Sequence, residues 1–456
     1  EYFFEKMKPI QKLRKEEAKW NFLVGREPKH IEMFMKRERI NGAKKNVPRM
    51  IGNVTQDFLS KPTQSGPCLG ASILAIQEAI GERFDGKGEP LWFDIEGANA
   101  LPMAFHLMYV CGQTTKDIEE FFDRAEQSDG NVIYMVALGD DSLVFVRYDQ
   151  VVYWIENDFS RFDRTINETL LGLNKALVKL HQPHAYEAYC KLYSTPIRVF
   201  VKETSGGLGQ ENIDPWFLDQ AVGNMRISGE QGTSVMNTVV NAVCTLDCIL
   251  DSIRHKEIMG SELTVQLLED NFTGYGLSPK CKIFSPHVTM LHYSNPTFRE
   301  LPPMTFLKHV LLRSKSGTIA MVRMPSLITN LGWCMNDPLL LDKRKLSDHQ
   351  RFVDFLWSQW RGYGDLAGVC SSYHKIHTWL ESLEPSQDCP PHSLEEWQVF
   401  TKATPIHEST FWALLSDRYG IDVVTWSNFM RNLTSIHEFP TLYSHEVIPS
   451  LIDVDY

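Results

Sequence analysis

Long uncharged apolar runs are missing from this 456-residue chain. None reaches the roughly 18 residues that span a bilayer, and the first thirty residues carry charge where a secretory leader would carry an apolar core. No transmembrane segment is expected. A cysteine framework is missing too: the nine cysteines are scattered, with no CxxC pair and no Cys/His spacing suited to zinc. Cys244 and Cys248 lie one helical turn apart, but no further ligand falls in register with them. Free buried thiols in a reducing compartment are the expectation. Internal repeats and low-complexity tracts are absent as well, which excludes a solenoid. The glycines of SGGLGQ at 205–210 lack a strand-loop-helix context, so they do not read as a phosphate-binding loop.

What is present is enough apolar sequence for a sizeable core, 43% of the chain, and a lopsided charge. A net charge of −11 argues at first against a nucleic-acid partner. Its distribution argues otherwise: residues 1–50 carry 14 Lys and Arg against 7 Glu, leaving 32 basic and 50 acidic groups in the rest. A basic N-terminal region beside an acid-rich remainder suits a protein that guides a polyanion or nucleotide to carboxylate-bound metal. A solvated helix explains the lysines of 6–19, but not GAKKNVPRMIG (42–52), which is loop-like and ends in a strand-like run.

Hydropathy patterning predicts mostly helix over 1–40, then a basic loop leading into a strand over 41–54. Short helices alternate with Gly/Pro loops from 68 to 130, and three successive strands follow over 131–157. Ile166, Leu170, Leu173, Leu177 and Leu180 recur at helical spacing, predicting an amphipathic helix there. A nearly uncharged helix is expected from Thr233 to about Leu250, then another through SELTVQLLEDNF (261–272). Beyond about 314 the chain reads as a helical, Trp- and Phe-rich subdomain.

Three patterns carry chemistry. Gly139-Asp140-Asp141 sits at a strand turn, and Asp158-x4-Asp163 closes the strand that starts at Val151. Ser228, Gly229, Thr233 and Asn237 form an S-G-x3-T-x3-N pattern at a helix entry. Two divalent cations held about 4 Å apart can activate an attacking hydroxyl and stabilise the leaving oxygens of phosphoryl transfer, which requires carboxylates from adjacent backbone elements. Asp158 and Asp140 would hold the metals, with Asp141 in support. Asp163 and Asn237 offer polar side chains able to recognise a ribose 2′-hydroxyl.

These patterns resemble motifs A (Asp158, Asp163), B (Ser228 to Asn237) and C (139–141) of viral RNA-dependent RNA polymerases. The order C-A-B is permuted, as in the permutotetravirus and birnavirus polymerases; the intact Gly-Asp-Asp resembles the former group more. The resemblance covers roughly 41–312 and implies an α+β, right-handed polymerase fold. Fingers would occupy 1–130 and 182–225, palm 131–181 and 226–312, and thumb 313–456. It further implies that Arg49, with Lys44 and Lys45, meets the nucleotide triphosphate. Lys280 or Lys282, in YGLSPKCK, would protonate the leaving pyrophosphate, and Phe306, Leu307 and Lys308 would support the primer strand. Mg2+ or Mn2+ is the implied cofactor. The implied partners are template and nascent RNA, ribonucleoside triphosphates and, where initiation requires one, a protein primer. The implied place is the cytoplasm of an infected cell, or the virion. No motif G is found, and the start without Met implies that further N-terminal sequence precedes residue 1.

Two other classes stay open at this point. A reverse transcriptase shares the acid geometry but normally carries an aromatic residue where Asp163 stands. A catalytically silent RNA-binding replication scaffold would explain the basic N-terminus, but has no need of three carboxylates plus the Ser/Asn pair.

Overall fold

Three successive strands form the centre of the chain: β5 (Val132–Leu138), β6 (Asp141–Tyr148) and β7 (Val151–Phe159). Each is a Val-, Ile- and aromatic-rich run, and each turn has a residue with positive φ, Gly139 (φ 65°) and Asp149 (φ 50°). Such backbone suits the tight hairpins of twisted strands. The computed structural model describes residues 31–35, 50–53, 69–95, 102–149, 151–160, 162–194, 197–201, 216–220, 226, 232–259, 264–284, 304–332, 346–386, 389, 402–439 and 443–455. The helix expected within 1–30 and the SGGLGQ loop lie outside these residues.

The six-stranded sheet has the order β10-β7-β6-β5-β4-β3, with β3 Leu91–Phe93, β4 Met103–Tyr109 and β10 Pro279–Phe284. A second sheet, β2-β1-β8-β9, joins β1 (Ile31–Met35), β2 (Met50–Asn53), β8 (Ile197–Val201) and β9 (Trp216–Gln220). Here β1 is antiparallel to β2 and parallel to β8. The strand at 31–35 corrects the helical expectation for that stretch: long-range pairing to β2 and β8 overrides a weak local helix preference. Strand β4 was likewise not read from the sequence. Its residues MAFHLMY show no clean alternation, because the strand is buried on both sides over most of its length.

By its contacts the chain divides into two compact units, residues 1–109, 135–142 and 157–283 in one and 110–134, 143–156 and 284–456 in the other. Helices and strands mix in both, which is compatible with the expected α+β class. The first unit contains α1 (Leu69–Arg83), the short α3 (Phe162–Thr165), α4 (Glu168–His181), α5 (Tyr186–Ser194), α6 (Thr233–Met259) and α7 (Val265–Gly274). On α4 the buried residues are Leu170, Leu171, Asn174 and Val178, while Leu180 is 79% exposed. The buried stripe is thus rotated from the Leu173-Leu177-Leu180 line expected, and it includes Asn174, whose amide has no partner among the described residues.

The second unit begins with α2 (Thr115–Gln127), started by a Thr114/Asp117 capping box. Its acids latch the three-stranded sheet of β11 (Thr305–Phe306), β12 (His309–Arg313) and β13 (Ile319–Arg323). Glu119 Oε1 accepts from Met321 N at 2.7 Å, Asp123 Oδ1 from Ile319 N at 2.8 Å, and Glu126 takes both Arg313 Nη1 and Nη2 at 2.6 Å. The outward N–H groups of an edge strand are thereby capped by carboxylates. Burial raises the Glu119 carboxyl above its ordinary range. Helices α8 (Asp348–Gly362), α9 (Ser371–Ser382), α10 (Glu408–Tyr419), α11 (Val423–Leu433) and α12 (Val447–Asp455) complete this unit. Their core joins Val310, Leu312, Ala320 and Val322 to Trp360, Tyr373, Phe411, Trp426 and Phe429. Thus the segment after 313 opens with strand, not helix.

Candidate active site

Helix α6 starts at Thr233 and runs to Met259, past the Leu250 expected. It is the one helix among the described residues long and apolar enough to cross a membrane by length and composition, yet two thirds of its most apolar window is buried within the protein. Its polar residues Asn237, Thr238, Asn241 and Thr245 are buried as well, and each is bonded across to another element.

Asn237 Nδ2 donates to Asp163 Oδ1 at 2.8 Å, joining the first turn of α6 to α3, the short helix after β7. The carboxylate can only accept, which fixes the amide orientation and leaves Asn237 Oδ1 buried with no partner among the described residues. The two residues expected to read a ribose hydroxyl are therefore in contact.

The carboxylates follow from strand register. With β6 ending at Tyr148 and β7 beginning at Val151, antiparallel pairing sets Asp141 opposite Asp158 and Ser142 opposite Asn157, and directly opposed side chains on one face stand about 5 Å apart. On the other side of β7, Ser160 N donates to Ser278 O at 2.8 Å, Lys280 Nζ meets Asp158 Oδ2 at 3.4 Å and Cys281 Sγ donates to Asn157 Oδ1 at 3.4 Å. These contacts step in opposite directions along the two strands, so β10 runs antiparallel to β7. Asp141, Asp158 and Lys280 form one row across three strands, and Ser142, Asn157 and Cys281 the next. Alternation sends the first row to one face and the second to the other, where α6 lies.

The α6 face is a chain of buried hydrogen bonds. Ser142 Oγ donates to Asn241 Oδ1 at 3.2 Å, as does Thr245 Oγ1 at 2.9 Å, and Asn157 Nδ2 donates to Thr245 Oγ1 at 3.4 Å. Sequence reasoning missed these residues. The signal was there: Thr238, Asn241 and Thr245 lie at i, i+3 and i+7 of a helix that is otherwise apolar over 238–246. The described cysteines of this unit are free, as expected, and burial pushes the Cys244 and Cys281 thiols up to about 12.

On the acid face, the Lys280–Asp158 pair is half open to solvent, at 60% and 46% side-chain exposure. Such pairs contribute about 0–1 kcal/mol, so another cation can displace the ammonium from Asp158 at little cost. Among the described residues no three His, Cys, Asp or Glu side chains converge as a preformed metal cage. Mg2+ in phosphoryl-transfer sites is held by one or two carboxylates together with substrate phosphate and water, so the row of Asp141 and Asp158, with Asp140 in the adjoining turn, fits that donor set.

Lys282 lies two residues beyond Lys280 on β10 and is exposed. Leu307 and Lys308 are the turn of the β11–β12 hairpin, both with positive φ (48° and 61°), and Phe306 precedes them, buried. All three belong to the second unit. Arg49, Lys44, Lys45, Ser228 and Gly229 lie outside the described residues. In comparisons with known proteins, no family model matches the chain and no curated protein is significantly similar to it.

Proposed function

We propose that the chain is an RNA-directed RNA polymerase of permuted motif order, transferring nucleotides to an RNA 3′-hydroxyl on an RNA template, with fingers, palm and thumb arranged as a right hand. The observation that carries this is Asn237, held by Asp163 with its Oδ1 buried and unpartnered among the described residues. A buried acceptor left open costs about 1–3 kcal/mol. A ribose 2′-hydroxyl donating to it removes that cost, and a 2′-deoxyribose cannot. Asp140, Asp141 and Asp158 would hold Mg2+ or Mn2+, which when bound supplies Lewis-acid activation of the 3′-hydroxyl and neutralises triphosphate charge. Lys280, within reach of Asp158, is favoured over Lys282 as the proton donor to the leaving pyrophosphate. Arg49, Lys44 and Lys45 bind the triphosphate, Ser228, Gly229 and Thr233 shape the nucleotide pocket, and Phe306, Leu307 and Lys308 support the primer.

The test is incorporation of labelled nucleotides on a homopolymeric RNA with Mg2+ or Mn2+. Expected are template-dependent, ribonucleotide-selective synthesis and its loss by about a thousandfold or more in Asp158→Asn, with folding and RNA binding kept. In Asn237→Ala the preference for ribose falls by about ten- to a hundredfold. Preference for deoxynucleotides would make the protein a reverse transcriptase, and RNA binding without incorporation would make it a scaffold; either result overturns the proposal.

A further inference from the structure

The turn that carries Asp140 has no side chain on its glycine with which to anchor itself. Both backbone polar groups of Gly139 are nonetheless bonded to α6, about a hundred residues later in the chain. Gly139 N–H donates to Thr238 Oγ1 at 2.8 Å, and Gly139 C=O accepts from Asn241 Nδ2 at 3.2 Å. The Thr238 hydroxyl donates its own proton to Ser234 O at 2.8 Å, which turns a lone pair toward the Gly139 N–H. Asn241 is oriented in turn, because its Oδ1 accepts from Ser142 and Thr245 and so its Nδ2 must be the group facing Gly139. Every donor and acceptor in this clamp is thus fixed by a second bond, and Thr238 and Asn241 are buried at 2% and 0% exposure.

We infer that Thr238 and Asn241 are positioning residues which, by gripping the two peptide groups that flank the Gly139 Cα, set where the Asp140 carboxylate stands relative to Asp158. The role assigned to Asp140 rests on the polymerase reading, whereas the grip on Gly139 does not. The Asp140 Cα belongs to the planar peptide whose C=O Asn241 holds, and the Thr238 bond fixes the peptide before it, while metal sites need carboxylates held within about half an ångström of the working geometry. A Gly139 peptide released from α6 would leave the residue with its full left-handed and extended freedom.

The experiment compares the full chain with Thr238→Val, Thr238→Ser and Thr245→Val. Valine keeps the shape of threonine and removes only the hydroxyl. Thr245→Val cuts the same buried chain without touching Gly139: Asn241 Oδ1 loses one of its two donors but keeps Ser142, so its Nδ2 still faces the Gly139 carbonyl. Two readouts are taken: hydrogen–deuterium exchange of the peptide covering residues 137–142, and the Mn2+ concentration giving half-maximal incorporation. In Thr238→Val, exchange at the turn and the Mn2+ requirement should each rise by about tenfold, the loss of one hydrogen bond. Thr238→Ser should match the native chain in both, and Thr245→Val should leave both unmoved although its melting temperature falls. Unchanged exchange or an unchanged Mn2+ requirement in Thr238→Val overturns the inference, as does a shift in Thr245→Val that tracks its loss of stability. Should Thr238→Val not fold, Thr238→Ala asks the same question, since it too removes the hydroxyl facing the Gly139 N–H and leaves the Asn241 bond in place. A native chain that incorporates nothing, yet shows the expected exchange differences, sinks the polymerase reading and leaves the clamp standing.

Discussion

The first unit holds α6 to its sheet with buried amides and hydroxyls, whereas the second holds its helices to β12 and β13 with Trp360, Tyr373, Phe411, Trp426 and Phe429. Hydrogen bonds are directional and contribute a net 0.5–1.5 kcal/mol or about that each. Aromatic burial contributes more per residue but tolerates sliding. The difference separates precision from stability: the face behind the candidate carboxylates is built to fix positions, and the second unit to resist unfolding. The second unit buries polar atoms too, singly as in Trp360 Nε1 to His377 Nδ1 at 3.1 Å and in series as in Trp426 Nε1 to Ser372 Oγ at 3.2 Å and Ser372 Oγ to Glu408 Oε1 at 2.6 Å, but these bonds join helix to helix.

This contrast can be broken by chemical denaturation of two variants. Phe411→Ala, which empties a fully buried site, should cost about 3–5 kcal/mol. Thr245→Val, which leaves Asn157 Nδ2 without its acceptor, should cost about 1–3 kcal/mol. Equal costs would mean that the polar face stabilises as much as the aromatic one, and the division of labour would be lost.

Much of the first unit was legible where local signals decide the structure. The hairpin at Gly139 and the start of α6 at Thr233 follow from short-range pattern, whereas Asp163 and Asn237, 74 residues apart, were expected only as two groups able to recognise one ribose hydroxyl. The polar ladder was not legible, because Thr238, Asn241 and Thr245 have meaning only once strands separated by about a hundred residues are placed under them. Strand β1 was misread for the same reason, its identity being decided by partners at 50–53 and 197–199. On α4 a fully buried Asn174 broke the apolar periodicity on which the expected stripe relied. In the second unit, nothing local in the sequence marks the carboxylates at 119, 123 and 126, and only the three-stranded sheet reveals what they bind.

A smaller effect sharpens the contrast through pH. His309 is buried at the start of β12, its Nδ1 at 2.9 Å from Leu307 O. Burial, with the Arg323 guanidinium adding to it, pushes its pKa down from the ordinary 6.5 to about 3, against the Leu307 carbonyl that favours the charged ring. As pH falls from 6.5 toward 3 the unfolded chain takes up this proton and the folded chain does not, so stability falls by about 1.4 kcal/mol per pH unit at full slope. His309→Gln should flatten the stability profile in that window. A profile as steep as the native one would assign the acid sensitivity to other groups.

The smallest effect concerns two turns of equal length. At 139–140 the chain uses glycine for the positive φ; a Cβ there would meet nothing within 4 Å, so Gly139→Ala should cost about 1 kcal/mol from backbone strain alone. At 307–308 both positions have positive φ but carry leucine and lysine, where such turns favour Asn-Gly. Replacing them, as Leu307→Asn with Lys308→Gly, should therefore raise stability by about 1 kcal/mol, the relief of left-handed strain less the greater freedom of glycine in the unfolded chain. Strain that persists at a turn calls for a reason in its side chains. Under the polymerase reading that reason is contact with the primer strand, so the stabilised variant should bind a primed template more weakly than the native chain while binding unprimed template equally. A variant that is more stable and binds both equally would show that Leu307 and Lys308 are tolerated there and not required, and the two turns would then differ in backbone economy alone.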